Sequence, residues 1–177
     1  MSAIGEKNST IRVLGIETSC DDTAAGIIER SADGTCRILA DITSTQIKDH
    51  QAYGGVVPEI AARSHVERLD KVIEAAMKKA GMAFDDLDAV SATAGPGLVG
   101  GVMVGLTTAK AISLGHNLPL VPINHLEGHA LSAQMTESVV FPYLLLLISG
   151  GHTQLVLVEG LGSYLSLIHI SEPTRPY

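Results

Sequence analysis

His125 and His129, four residues apart in the stretch NHLEGHAL, are the side chains of this sequence best suited to hold a metal ion. On an α-helix, positions i and i+4 stack on one face, so two neutral imidazoles at this spacing can reach one ion. Glu127 lies between them and invites comparison with the zinc-peptidase helix H-E-x-x-H. The register differs. In that helix the glutamate follows the first histidine directly and acts as base on the metal-bound water. Glu127 comes two residues after His125, about 200° round a helix, and so points away from an ion shared by the pair. Two histidines are also an incomplete set, because catalytic zinc sites usually take three protein ligands and keep a position open. Spacing alone leaves open that one histidine packs or caps while the other faces water.

Three further stretches could carry chemistry. In ISGGHTQ (148–154), Ser149, Gly150 and Gly151 place unhindered backbone N–H groups where they could cradle an anion or acyl group, or else form a plain hairpin turn. AGPGLVGG (94–101) is a glycine-rich strand-to-helix junction. It lacks the Gly-Lys-Ser/Thr of a phosphate loop, and close helix–strand packing ranks ahead of phosphate contact there. GIETSCDDT (15–23) gathers Glu17, Thr18, Ser19, Asp21 and Asp22 at a strand end, where neighbouring carboxylates can act as bases, hold a cation, or simply cap a turn.

Positioning these groups requires a particular order of elements. IRVLGIET, TAAGIIER and CRILADIT alternate as strands, with Asp33-Gly34 as a hairpin signal, and predict a three-stranded meander. Pro58 opens a helix in which Val66, Leu69, Ile73 and Met77 recur at helical spacing and Gly81 caps the end. A strand over 87–94, a small-residue helix ending near Gly115 to Asn117, a short strand LPLVPI and the histidine helix follow. FPYLLLLISGG reads as a fully buried strand and HTQLVLVE as its partner. The order βββαβαβαββ predicts a mixed α/β sheet with its loops at the strand ends. From Ser163 onward no period continues, and residues 165–177 are expected to be a non-native tail of adapter or vector read-through after a lobe spanning 11–164, with 1–10 a polar N-terminal tail.

The composition suits this architecture. Of 177 residues, 46% are hydrophobic and 18% charged, and a mean hydropathy of +0.28 argues against disorder. The net charge of −7 offers no broad phosphate-binding surface, so a nucleic-acid partner would need a local basic patch or a helper protein. Two cysteines give no disulfide framework. No run reaches the roughly 18 apolar residues of a membrane helix. A soluble, cytoplasmic protein is expected.

Together, LGIETSCDDT, YGGVVPEIAARSHVERL, TAGPGLVGGVMVGLTTAKAIS, NHLEGHAL and LLISGGHTQLVLVEGLGSY closely resemble the tRNA N6-adenosine threonylcarbamoyltransferase family over residues 11–164. The resemblance implies the actin/sugar-kinase-like fold, built from two RNase H-like lobes with the ligand in the cleft. It implies transfer of a threonylcarbamoyl group from threonylcarbamoyl-adenylate to N6 of the adenosine 3′ to the tRNA anticodon. His125 and His129 would be ligands of a divalent metal, Fe2+ ahead of Zn2+. Leu147, Ile148, Ser149, Gly150 and Gly151 match the substrate-contacting loop, and Glu17 or Asp21 would orient or deprotonate the amine. A dimerising paralogue and an ATPase are the implied partners. The family's later segments, including the aspartate that is its third metal ligand, are not in this chain, so an inactive fragment of the transferase is expected. A metallopeptidase, a non-catalytic dimerising relative, and a sugar kinase or ATPase of the same fold are the alternatives.

Overall fold

The structure is a computed structural model that describes residues 9–136, 139–148 and 152–171. It divides into two compact units, Met1–His125 and Leu126–Tyr177.

The first unit is a five-stranded mixed sheet in the order β3-β2-β1-β4-β5. Strands β1 (Ile11–Glu17), β2 (Asp22–Arg30) and β3 (Cys36–Thr45) form the expected antiparallel meander. The β2–β3 turn uses Gly34 at φ +89°, as the Asp-Gly pair requires. Strands β4 (Ala89–Gly95) and β5 (Leu120–Asn124) add in parallel on the other side of β1. Parallel neighbours need crossovers, and the helices supply them. A short α1 (Ile47–His50) and a 3-10 turn (Gln51–Tyr53) lead into α2 (Pro58–Ala80), and α3 (Val99–His116) joins β4 to β5.

Helix α2 lies over β2 and β3, and α3 over β4. Beneath them Leu14, Ile16, Ala25, Ile27, Val90 and Ala92 meet Leu69, Ile73 and Met77 in one core. Each fully buried Leu, Ile, Val or Met side chain there contributes about 1.5–3 kcal/mol. Pro58 at the first turn and Gly81 at φ +66° bound α2 as its sequence predicts. Its buried face differs by one position, however. Val66 is 65% exposed and His65 beside it is fully buried, so the inward line runs through a polar residue.

Helix α4 (His125–Thr136) begins at the last residue of the first unit, and in the second unit it is followed by an antiparallel sheet of β6 (Tyr143–Ile148), β7 (His152–Gly160) and β8 (Ser163–Ser171). β6 is not the fully buried strand its leucine run predicts, because Leu144 and Leu146 are each 59% exposed and Ile148 69%. Only the alternate face, with Val156 and Val158, packs against Ala130, Phe141 and Tyr143. The segment after Ser163, where the sequence shows no period, pairs with β7 through two register shifts. Such shifts blur a period of two, and strand pairing says nothing of where those residues originate.

Candidate functional site

The β1–β2 turn, residues 17–22, is held down on helix α3 by side chains that α3 lacks. A Cβ built on Gly97 would lie 2.6 Å from Ser19, one on Gly101 2.2 Å from the Thr18 carbonyl oxygen, and one on Gly105 2.3 Å from Thr18 Oγ1. Gly101 and Gly105, four apart on one face of α3, make a groove that Gly97, just before the helix, extends. Into it Thr18 inserts its hydroxyl, donating to the Gly101 carbonyl at 2.8 Å and accepting from the Gly105 N–H at 3.1 Å. That carbonyl and N–H are the pair an α-helix otherwise joins directly. Leu98 N–H donates to the Ser19 carbonyl at 2.7 Å and fastens the other end. The glycine-rich junction therefore serves close packing of the acidic turn.

So placed, Glu17 collects hydrogen bonds. Its carboxylate accepts from Ser19 N–H at 2.5 Å, from the Thr93 hydroxyl, and from His125 Nδ1 at 3.0 Å. Burial pushes its pKa up, but the bonds from His125, Ser19 and Thr93 outweigh burial and bring the carboxyl from 4.5 to about 2. The same hydrogen bond to Glu17 raises His125, against the opposing effect of burial. Because a carboxylate only accepts, Nδ1 carries the proton in neutral His125, and Nε2 is the basic nitrogen. Ser19 Oγ lies 3.1 Å from the same Nδ1. A carboxylate-held imidazole of this tautomer is the state in which histidine ligates a metal, so the donor chemistry fits one. Glu17 also lines a cleft of about 220 Å3 with Gly15, Ala24, Gly26, Ser91 and Thr93.

Sequence-predicted residues divide accordingly. The structure brings Glu17 to His125. Asp21, half-buried on the turn, sits beside Cys20 instead, whose thiol partial burial and the Asp21 carboxylate push up to about 11. His129 is exposed one helical turn beyond His125 on α4. Among the described residues, no cluster of three or more His, Cys, Asp or Glu is placed to hold a metal. Leu147 and Ile148 end β6 opposite Gln154 and Thr153, whereas Ser149, Gly150 and Gly151 lie outside the described residues. Glu127 accepts from the Tyr164 hydroxyl at 2.7 Å and from Gly162 N–H at 3.3 Å, a structural engagement that agrees with its wrong register for a peptidase base. The packing role of Thr18 and any role for Thr93 went unpredicted. Thr18 had a signal in the spacing of Gly97, Gly101 and Gly105, and Thr93 had none, since its partner is 76 residues away.

A mixed sheet with a three-stranded antiparallel start and parallel β4 and β5, covered by α2 and α3, defines a lobe of the actin/sugar-kinase-like class. Solved structures agree on the fold: YeaZ from Pseudomonas aeruginosa superposes with a TM-score of 0.58 at 14% identity, covering 89% of this chain and 66% of that one. The Aquifex aeolicus PPX-GPPA enzyme gives 0.52 at 14% identity, over 92% of this chain and 52% of that one. The model of the family described as TsaD, tRNA N6-adenosine threonylcarbamoyltransferase, matches residues 37–171, and this chain belongs to that family. Relatives bearing that name are 60% identical in Rhizobium etli and Agrobacterium fabrum over 154 residues, 87% of this chain and 42% of theirs. One in Chelativorans sp. is 62% identical over 153 residues, 86% of this chain. The chain thus spans well under half the length of the curated relatives it matches.

Proposed function

We propose that the protein to which this chain belongs transfers the threonylcarbamoyl group from threonylcarbamoyl-adenylate to N6 of the adenosine 3′ to the anticodon in tRNAs reading codons that start with A. The observation that carries this reading, beside family membership, is the Glu17–His125 hydrogen bond, which prepares His125 Nε2 as a donor at the start of the H-x-x-x-H helix. In the reaction the adenosine amine attacks the carbamoyl carbon. An N–C bond forms, the bond from that carbon to the phosphate oxygen breaks, AMP leaves with the electron pair, and the amine proton passes to a base.

His125 and His129 would hold one divalent ion, Fe2+ or Zn2+, with a third ligand from residues beyond this chain. When bound, that ion supplies Lewis-acid stabilisation of the leaving phosphate. Glu17 fixes the His125 tautomer and, at a pKa of about 2, is a weak base. Asp21 is therefore the carboxylate we assign to the amine proton. Leu147 through Gly151 would contact the threonylcarbamoyl group through backbone N–H groups.

An acidic chain needs help to bind tRNA, and a dimerising paralogue and an ATPase would supply it in the cytoplasm. Exposed Val66 on α2 and Val99 and Met103 on α3 offer a protein partner apolar side chains near the crossing where Gly100 meets Ala62. No helix among the described residues is long and apolar enough to cross a membrane.

The test is to incubate unmodified tRNA, the adenylate and Fe2+ or Zn2+ with a protein carrying this sequence extended to the length of its relatives. Nucleoside chromatography should show threonylcarbamoyladenosine, lost on His125→Ala and strongly reduced on Asp21→Asn. The 177-residue chain alone should yield none. Peptide-bond cleavage without modified nucleoside would overturn the reading in favour of a metallopeptidase.

A further inference from the structure

We propose that Val57, His50, Gln46 and His65 form a one-way hydrogen-bond relay that positions the Cys20 carbonyl, and with it the Glu17–Asp21 turn, according to the conformation of residues 46–57. Val57 N–H meets His50 Nδ1 at 3.3 Å, His50 Nε2 meets Gln46 Oε1 at 3.2 Å, Gln46 Nε2 meets His65 Nδ1 at 3.2 Å, and His65 Nε2 meets the Cys20 carbonyl at 3.1 Å. Gln46 and His65 are fully buried and His50 is nearly so, which shields the middle of the chain of bonds, while the bonds at its two ends are part-buried.

The polarity of every link is fixed from both ends. A backbone N–H only donates, so His50 Nδ1 accepts and its single proton sits on Nε2, aimed at the Gln46 carbonyl oxygen. A backbone carbonyl only accepts, so His65 Nε2 carries that ring's proton and Nδ1 accepts. Nδ1 receives the Gln46 amide and the Thr23 hydroxyl at 2.8 Å. Turning the Gln46 amide over would set its oxygen against the Ala61 carbonyl, now 3.5 Å from Nε2, and would ask His50 to accept on both nitrogens. Neither is chemically tenable, so the amide orientation follows from the network. An added proton on His65 Nδ1 could be accepted by the Thr23 hydroxyl but would face the Gln46 amide, and turning that amide to relieve the conflict reverses the links back to Val57.

The relay adds a side-chain route between two places that the backbone links only through the pairing of Asp22 with Thr45 at the end of the β2–β3 ladder. One end is the α1–α2 connection, with exposed Tyr53 and left-handed Gly54. The other is the turn that carries Glu17, Ser19 and Asp21. His65, Gln46 and His50 are positioning residues, and each acts through the next. Their service to catalysis rests on the transferase reading; the relay itself does not.

Side-chain 15N NMR of this chain, labelled at histidine, tests it at neutral pH. Both His50 and His65 should appear as the Nε2–H tautomer. The Nδ1–H form at either ring would overturn the relay. Gln46→Glu keeps the shape and the acceptor for His50 but turns an acceptor toward His65 Nδ1. His65, which also faces Glu17 and Asp21 from the turn and Arg68 from its own helix, should then take up a second proton. Backbone amides of Ser19 to Asp22 should shift, and exchange of the Leu98 amide, bonded to Ser19, should quicken severalfold. Amide shifts confined to residues 46–65 would show packing without positioning and sink the proposal. Should the variant fail to fold, the tautomers of the unaltered chain still decide. Neither readout involves group transfer, so an absence of transferase activity would count against the proposed function and not against the relay.

Discussion

The five-stranded and three-stranded sheets follow the same alternation of side chains, but only one of them is covered. In the first unit α2 and α3 roof the inward residues of β1, β2 and β4. In the second, the face carrying Leu144, Leu146, Ile148, Leu165 and Ile168 is open, each of those side chains being at least half exposed. Cross-strand pairing puts Leu144, Leu157 and Leu165 in one row and Leu146, Leu155 and Ile168 in the next, a continuous apolar surface. The first unit thus determines its own geometry, down to the tautomer of a buried histidine. The second displays more apolar surface than its own few buried residues can use.

The sharpest break would come at the glycine groove. Gly101→Val puts a branched side chain where even a Cβ collides with the Thr18 backbone, which cannot yield as a flexible side chain would. A loss of about 3 kcal/mol or more is expected in urea denaturation of the first unit, with the acidic turn displaced. Gly115→Ala on the same helix meets nothing within 4 Å and should instead stabilise by up to about 1 kcal/mol. Equal effects at the two glycines would refute the claim that the groove, and not helix propensity, sets their role.

Next in size is the contrast between the sheets themselves. Leu14, wholly buried, should lose about 3 kcal/mol on truncation to alanine, through lost transfer energy and the cavity left behind. Leu146→Ala should change the stability of this chain by less than about 0.5 kcal/mol. Residue-resolved hydrogen exchange keeps the two units apart in this comparison. A large loss at Leu146 would mean that its face is covered in solution, and chromatography over a range of concentrations would then reveal self-association.

Much of this fold was legible because its signals are local. Pro58, Gly81 and Asp33-Gly34 mark boundaries through backbone conformations that few residues supply, and strand alternation marks the meander. The leucine run of β6 misled because composition registers apolarity, whereas burial depends on what lies above the sheet. Val66 misled for a related reason. Helical period places it beside the core line, but the interior at that point is polar and takes His65, satisfied by Thr23, Gln46 and the Cys20 carbonyl. The His125–Glu17 contact spans 108 residues, and Glu17 with Thr93 spans 76, distances over which no periodicity speaks. Residue types could nominate Glu17 and His125 as chemically able. Only the fold could show that they are partners.

Glu17 offers a graded test of that partnership. Its folded-state pKa of about 2 lies below its ordinary 4.5, so it adds stability in full above pH 4.5 and loses it as pH falls toward 2. Allowing for the third of the side chain that remains exposed, about 2 kcal/mol is at stake. Glu17→Gln should be less stable than the unaltered chain at neutral pH, and the two melting curves should converge as pH approaches 2. A constant gap across that range would locate the loss in shape and not in the carboxylate's charge.

The smallest expected loss tests how much the Tyr164–Glu127 bond adds to the polar anchoring of the second unit, beside the Tyr143 hydroxyl on the Ala130 carbonyl. Tyr164 donates its hydroxyl to Glu127 at 2.7 Å, and burial, followed by that carboxylate, pushes the phenol up to about 12. Tyr164→Phe keeps the ring packed by Tyr143 and Val158 and removes only the donor. Glu127 retains the Gly162 N–H and is half-buried, so it is not left wholly unsatisfied. The cost should therefore be about 1 kcal/mol, read from exchange of amides in β7. A much larger cost would make Glu127 the keystone that orders α4 relative to the β7–β8 turn. It would also explain why an acid stands between two histidines without serving as their base. A cost near zero would leave the second unit to its strand ladders, its apolar packing and the Tyr143 hydroxyl bonded to the Ala130 carbonyl.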